Sequence, residues 1–591
     1  MALLPPHGSL RRLLRQVPPR RKRQLALLLA ATLAGAIAEL LSLGAVLPFV
    51  AVLADPAKAA RNVHLARMME STGVTVAELP TLVSLIFAAL ILLAIGARLL
   101  LLRVNIRFSN ALGAELGEAL YARTLRRPYL FHVSRNTSQI IGSMNKVARI
   151  ITGYVQPLLT GAAAAVVAGA IVALLVAIEP VVALLGATLF GGCYLVIAQW
   201  VRRRLRHDGI VVAAANDERI QVMQEGLGGI RDVILDRAQD IYARRFSGIE
   251  RRFRDAQARS QFHAGFPRLA VEAIGMLLLV GFAIVATRRG HALATLLPTV
   301  GAFALGAQKL MPLLQQVYAG WSAAINSQPS VDDVLDLLEF EPLPSSSADI
   351  PFRGEIRIER VDFAYDGGDA PTTVLHGIDL VIRRGQKIGI VGSTGSGKST
   401  LVDILMGLLP PSVGALRVDS VAVTAANADA WQRHIAHVPQ SIYLSDASIA
   451  ENIAFGCAPA EIDRERLETA ARIACIHDHV AALPQGYATL VGERGVRLSG
   501  GQRQRIGIAR ALYKQVDVLV LDEATSALDD QTEREVMRGI FAAAADTTVI
   551  MIAHRLTTLR DCDRILHLDS GRILRETGYD ALRNPETSPS N

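Results

Sequence analysis

The sequence predicts a six-span α-helical membrane domain fused to an α/β domain with a largely parallel sheet. Three observations predict it. Apolar residues crowd into the first 330 positions of a 591-residue chain that is 51% hydrophobic, with a mean hydropathy of +0.32. Six apolar runs lie there, near 24–54, 80–103, 157–178, 181–200, 269–287 and 293–325. Further on, β-branched runs such as KIGIVG and VDVLVLDE alternate with helical stretches, the pattern of strands joined by helical crossovers.

Most of the six runs reach the ~20 residues that a helix needs to cross a bilayer. A helix satisfies its own backbone groups in lipid, so six helices is a more economical reading than six buried core helices of a soluble protein. Basic clusters set the orientation. Arg11, Arg12, Arg15, Arg20, Arg21, Lys22 and Arg23 hold the N-terminal segment inside, as do Arg103 and Arg107 after the second run and Arg202, Arg203, Arg204 and Arg206 after the fourth. Arg288 and Arg289 fall in an outer loop and run against the majority. The net charge of +8 owes much to RRLLRQVPPRRKRQ just before the first span, which reads as a positive-inside signal, so no nucleic-acid partner is expected.

The four cysteines have neither metal nor disulfide spacing and suit a reducing cytosol. The N-terminal basic stretch is too long, and the following apolar run too extended, for a cleavable signal, so the first span is expected to stay as an anchor. The connections 104–156 and 201–268 are long, charged and helix-patterned, and read as membrane helices that continue into the cytosol and turn back. In the outer segment 55–79, Val63, Leu65, Met68 and Met69 give a short amphipathic helix. The expected organisation is a basic cytoplasmic segment 1–23, a membrane domain 24–330, a linker 331–354 around the Pro- and Ser-rich EPLPSSSADI, an α/β domain 355–580 and a tail 581–591.

The α/β half carries the chemistry. GSTGSGKS follows the strand-like KIGIV and fits a phosphate loop: Gly392, Ser393, Thr394, Gly395, Ser396 and Gly397, then Lys398, Ser399 and Thr400. Its glycines let successive backbone N–H groups curl round phosphate oxygens; Lys398 reaches the β/γ-phosphates and the Ser399 hydroxyl ligates Mg²⁺. VDVLVLDEATSALD ends a second strand in two acids. Asp522 can hold Mg²⁺ through water, and Glu523 is placed to polarise an attacking water.

LSGGQRQR, residues 498–505, resembles the signature motif of ATP-binding cassette (ABC) ATPases, with Ser499, Gly500, Gly501 and Gln502 at its centre. The resemblance extends over about 355–580. Gln440 in HVPQ fits the Q-loop, His554 in IAHR the switch histidine, Asp529 the D-loop, Tyr365 the aromatic that stacks on adenine, and GERGV (492–496) the coupling segment of exporters. It implies ATP and Mg²⁺ as cofactors, Gln440 as a further metal contact, and a signature that completes the site of another subunit. With one cassette and six helices, the chain is then expected to pair with a second copy of itself, although a heterodimer is an alternative. Six spans with one cassette resemble type I (type IV) exporters, and the turns SRNTSQ (134–139) and EGLGGIRD (225–232) stand where coupling helices would be.

Within exporters, AELLSLGAVLPF, RPYLFHVSRNTSQII, FPRLAVEAIG and GAQKLMPLLQQV are similar to PglK-type flippases of lipid-linked oligosaccharides. Three intramembrane cations bear on the cargo. Lys309 lies ~24 Å down the sixth span from Leu293 at ~1.5 Å per residue, Arg98 sits at a similar depth on the second span, and Arg268 closes the inner end of the fifth. Such charges mark a substrate path, here for a pyrophosphate headgroup, unless they snorkel to the interface or pair with Glu39 and Glu272. The expected function is ATP-driven flipping of a polyprenyl-pyrophosphate-linked oligosaccharide in a bacterial inner membrane, with membrane lipids as neighbours. The alternatives are a general lipid, drug or peptide exporter and, from another class, a non-transporting channel or regulator.

Overall fold

The structure is a computed structural model that describes residues 7–61, 67, 69, 73, 75–178, 180–288, 293–340, 349–365, 371–544, 546–553 and 555–583. The chain divides into two compact units. Residues 1–127 and 131–342 form the first; 128–130 and 343–591 form the second.

Long helices build the first unit. In chain order they are α1 (His7–Gln16), α2 (Pro19–Gly44), α3 (Val46–Ala54), α4 (Leu79–Leu125), α5 (Thr137–Ile150), α6 (Gln156–Ile178), α7 (Pro180–Gly228), α8 (Gln239–Arg288) and α9 (Leu293–Leu338). Helices of 46 to 50 residues, as α4, α7, α8 and α9 are, reach ~70–75 Å, more than twice a ~30 Å hydrocarbon core. The charged connections 104–156 and 201–268 are therefore largely helical. Short helices, Tyr129–Val133 and Ile230–Leu235, mark their turns. Pro19–Ser42, Leu79–Leu125 and Thr137–Ala177 are long and apolar enough to cross a membrane among the described residues; the other three runs include side chains outside them.

The helix α9 is the hub. Gly320 lets it press on α6, since a Cβ there would run into the carbonyl oxygen of Pro157; Gly209 of α7 likewise has no room beside the carbonyl of Asn326. The apolar spacing Val331, Val334, Leu335, Leu338 keeps the helix going to Leu338, so the first eight residues of the segment read as linker are helical, with these four and Leu337 buried. Leu13 and Val17 share a core with Leu112, Leu116, Val334 and Leu338, and Arg12 meets Asp336 at 2.5 Å and Glu339 at 2.7 Å. In the outer segment, Asp55 caps a short helix Pro56–Ala59, and Met69 packs on Val52, Leu79 and Val83; Val63, Leu65 and Met68 lie outside the described residues.

A buried cation ties three helices together. Lys146 of α5, 2% exposed, donates to Asp217 of α7 and Asp333 of α9, each at 2.7 Å. Gly142, one turn back, has its missing Cβ against Asp217 Oδ1, so α5 lies close enough for the bond.

The second unit holds two sheets. One is four-stranded in the order β2-β1-β4-β5: β1 (Glu355–Tyr365), β2 (Thr372–Arg383), β4 (Val413–Val418) and β5 (Val421–Ala422). The other has the order β10-β9-β3-β8-β7-β6: β3 (Lys387–Val391), β6 (Ile435–Val438), β7 (Val518–Asp522), β8 (Thr548–Ile552), β9 (Arg564–Asp569) and β10 (Arg572–Thr577). From β9 to β6 every pairing is parallel, and β8 is buried along its whole length, as continuous β-branched runs require when both faces are covered. Helices α10 (Lys398–Leu405), α11 (Gly500–Tyr513) and α12 (Asp530–Ala543) carry the residues that matter next.

The Lys146 tie makes a test of relative cost. Lys146→Met should lower stability by about 2 kcal/mol, less than the ~3–5 of a fully buried pair, because both carboxylates can rehydrate. The double change Asp217→Asn with Asp333→Asn strands a buried ammonium and should lower the melting temperature of the purified protein further. A milder melt for the double variant would contradict the assignment.

Candidate nucleotide-binding site

In a parallel sheet the loops that follow the strands all leave from one edge. Here the order β3-β8-β7-β6 sets four segments side by side: the phosphate loop after β3, Ala553 after β8, Asp522 and Glu523 at the end of β7, and Gln440 after β6.

The phosphate loop is shaped by its glycines. Gly395 and Gly397 have φ of 82° and 97°, the left-handed region that glycine occupies without strain. A Cβ on Gly392 would strike the carbonyl oxygen of Leu568, and one on Gly397 would lie 2.8 Å from Leu375. Gly397 caps α10 with no side chain, so the first-turn N–H groups of Lys398, Ser399 and Thr400 stay unbonded within the helix, at its positive end. Lys398 Nζ folds back to donate to the carbonyls of Gly392 (2.9 Å) and Ser393 (2.8 Å). The Ser396 hydroxyl is buried without a hydrogen-bond partner. Thr394 completes the loop, and the Ser393 hydroxyl donates to Asp569 at 3.2 Å. A side-chain-free cradle, an orphaned hydroxyl and a folded-back cation fit the phosphates of a nucleotide. Tyr365, at the end of β1, brings its hydroxyl to 3.4 Å from Thr400 Oγ1 and so puts an aromatic ring beside the loop.

Acids gather opposite. Glu523 accepts a hydrogen bond from Gln440 Nε2 at 2.7 Å, which leaves the amide oxygen of Gln440 for a metal. Glu523 itself stands at φ 50°, held by its N–H to the carbonyl of Ile552. Asp403 of α10 has its carboxyl pushed up to about 6, first by burial and then by Asp522. Crowded anions and the hard oxygens of Ser399, Gln440 and Asp522 fit Mg²⁺. Sequence reasoning missed Asp403; its place one helical turn after Ser399 is the signal that could have found it.

The signature makes its contacts elsewhere in the cassette. Ser499 caps α11 in a reciprocal box with Gln502, at 3.2 Å and 2.8 Å. Gly500 and Gly501 open the helix, Gly501 close under Ala527 and Leu528, and Gln504 binds the Ser526 hydroxyl and the Ala527 N–H. Asp529 caps α12 through the N–H groups of Gln531 and Thr532, which hold its carboxyl below the usual range, Thr532 first. His554 lies outside the described residues. Next to it, Arg555 pairs with Glu533 (3.1 Å) and Asp530 (2.8 Å), and Glu533 also accepts from Thr525 and Thr558.

Comparison with known proteins now bears on the family. Residues 375–526 match the ABC transporter family and 25–292 the ABC transporter transmembrane region. A protein of Cupriavidus metallidurans named ATP-dependent lipid A-core flippase is 30% identical over 487 residues, which is 80% of each chain. This chain belongs to the ABC transporter family. A relative of the same name from Burkholderia orbicola is 33% identical over 398 residues, 65% of this chain and 64% of that protein, so the chain spans just under two thirds of its length. A solved structure of a bacterial Atm1-family ABC exporter with ATP bound is similar, with a TM-score of 0.76 and 25% identity over 96% of this chain and 97% of the other. The ABC transporter therefore joins a membrane domain to a nucleotide-binding domain in one multi-pass chain, in the family where ATP hydrolysis is coupled to transport.

In the transporter's membrane domain, two of the three cations expected to share a level have described side chains. Arg98 of α4 pairs with Glu39 of α2 at 2.5 Å. Arg268 is exposed on α8. Lys309 belongs to α9, with its side chain outside the described residues.

Two outcomes would test the acidic edge of the site. Glu523→Gln keeps the Gln440 contact but removes the base, and should cut ATP turnover by roughly 10²-fold or more while trapping nucleotide; undiminished phosphate release would remove Glu523 from the catalytic role. Asp403→Asn relieves the crowding of Asp522 and should weaken Mg²⁺ dependence, read as a higher half-saturating Mg²⁺ concentration for ATPase.

Proposed function

We propose that this ABC transporter hydrolyses ATP to flip an amphipathic lipid from the inner to the outer leaflet of a bacterial inner membrane. The specific cargo we propose is a polyprenyl-pyrophosphate-linked oligosaccharide. The observation that carries the lipid reading is the pairing of a complete cassette with intramembrane cations, in a chain whose relatives are named flippases. The anionic headgroup follows from Arg98, Arg268 and Lys309. An arginine offers a carboxylate or phosphate two parallel N–H donors, and Lys309 a point charge. The Arg98–Glu39 pair suits a site that exchanges one anion for another: Glu39 is buried while Arg98 is half-exposed.

In the cassette, the N–H groups after Gly395 bind phosphate oxygens and Lys398 neutralises them. Ser399, Gln440 and Asp522 would hold Mg²⁺, which spreads the charge of the β- and γ-phosphates when bound. Glu523 takes the proton of the attacking water, with Gln440 fixing its orientation. Each phosphate loop faces the Ser499–Gln502 segment of a second copy, so a homodimer makes two sites.

The test is flipping in proteoliposomes with a pyrophosphate-linked glycan, a glycerophospholipid and an amphipathic dye side by side. The glycan should move with ATP. Movement of the dye alone would favour a general exporter. Lys309→Glu should abolish glycan flipping and leave basal ATPase within about two-fold, since binding and hydrolysis use separate groups; flipping that survives the reversal would take Lys309 out of the path.

A further inference from the structure

We propose that the stretches of α7 and α8 just beyond their apolar runs form a peripheral site for the headgroup of an anionic inner-leaflet phospholipid, apart from the path that Arg98, Arg268 and Lys309 would line. A cavity of about 470 Å³ opens between the two helices, lined by Arg204, Ala258, Arg259, Phe262 and His263.

Its depth follows from the span ends read in the sequence, 181–200 and 269–287. Arg204 is four residues past the first, ~6 Å, and Phe262 seven residues before the second, ~10 Å. A bilayer of ~40–45 Å around a ~30 Å core leaves ~5–8 Å of headgroup on each side. Counted along two different helices, the cavity falls at or just below that layer.

The lining has the chemistry of a phosphodiester pocket. The Arg204 guanidinium lies 4.1 Å over the ring of Trp200, which is 58% exposed at the end of its apolar run, where indoles anchor to an interface. Phe262 is 66% exposed and stacked on Phe266, an apolar wall against which the glycerol of a headgroup can rest. Arg259 gives its Nε to Asp208 at 3.0 Å and keeps two Nη groups for a further acceptor. Two arginines against one aspartate leave one net positive charge, the match for a singly charged diester.

An independent observation points to an absent ligand. His263 is 8% exposed and its Nδ1 has no hydrogen-bond partner. Asp208 Oδ2 is the nearest acid at 3.8 Å, beyond hydrogen-bond reach. Burial is the main cause holding the imidazole below its ordinary pKa, against the pull of Asp208 and with Arg204 and Arg259 also opposing the charge. A buried polar nitrogen without a partner is rare in a native fold; it is covered in this structure, so a phosphate oxygen in the cavity would reach it once the imidazole turns.

The occupant we commit to is a phospholipid, because the exposed aromatics would do nothing for a soluble anion. Native mass spectrometry of the full-length transporter in detergent, titrated with phosphatidylglycerol, phosphatidylcholine or inorganic phosphate, separates the cases. Phosphatidylglycerol should bind tightest. Arg204→Gln and Phe262→Ala, both at exposed positions, should each weaken it, the arginine change by about tenfold for the loss of a charged hydrogen-bond donor. Arg251→Gln, exposed on α8 and outside the cavity, should leave it unchanged. Equal binding of the two lipids, an Arg204→Gln variant with unaltered affinity, or displacement of the lipid by equimolar inorganic phosphate would each overturn the proposal.

Discussion

The nucleotide site depends on the parallel register of four strands. Ile390 of β3 and Asp522 of β7 both pair with Ile552 of β8, and Val438 of β6 pairs with Leu521 of β7, so the four strands end almost level. Strands ~4.8 Å apart then deliver the phosphate loop, the segment after β8, the acid pair and Gln440 along ~14 Å of edge. A slip of one residue in β7 would turn Asp522 to the other face. The wholly buried β8 opposes such a slip, because its apolar neighbours on both sides would be uncovered.

The membrane domain solves a different problem with different means. Its helices satisfy their own backbone groups, so their positions are decided by side chains. Among the means are glycines that admit a neighbour's carbonyl, as at Gly209 and Gly320, and ion pairs such as Lys146 with Asp217 and Asp333. A salt bridge is a poor source of net stability but a strict one for geometry, since any other packing of α5 would leave the ammonium buried and alone. The helix α9 meets most of these devices along one length.

Legibility divides along the same line. The cassette was readable because its chemistry is local: Gly392 to Ser399 is one continuous stretch, a loop and the first residues of α10, and Asp522 and Glu523 are neighbours in sequence. Strand type and parallel order followed from β-branched runs between helices. What could not be read were partnerships across elements, since spacing within a helix says nothing of what faces it. Arg98 with Glu39 stood only as one of several options, Lys146 was not singled out, and Asp403 became visible once α10 lay beside β7. The helix end at Leu338 was hidden by the prolines and serines just beyond it, although Val331, Val334, Leu335 and Leu338 already carried a helical spacing.

The proposed pairing of two copies has a physical basis in the signature helix. Ser499 accepts from Gln502 N–H and its carbonyl accepts from Arg503, which leaves the N–H groups of Gly500 and Gly501 without a partner inside α11. Two bare glycine amides at the positive end of a helix are an anion site that no side chain of their own obstructs. Gln504 anchors that end to Ser526 and Ala527, beyond the acid pair, and not to the phosphate loop after β3. An anion held in the loop thus needs the glycine amides of a different cassette to be enclosed from both sides. If each cassette offers one loop and one signature, two-fold symmetry is the arrangement in which neither is left over.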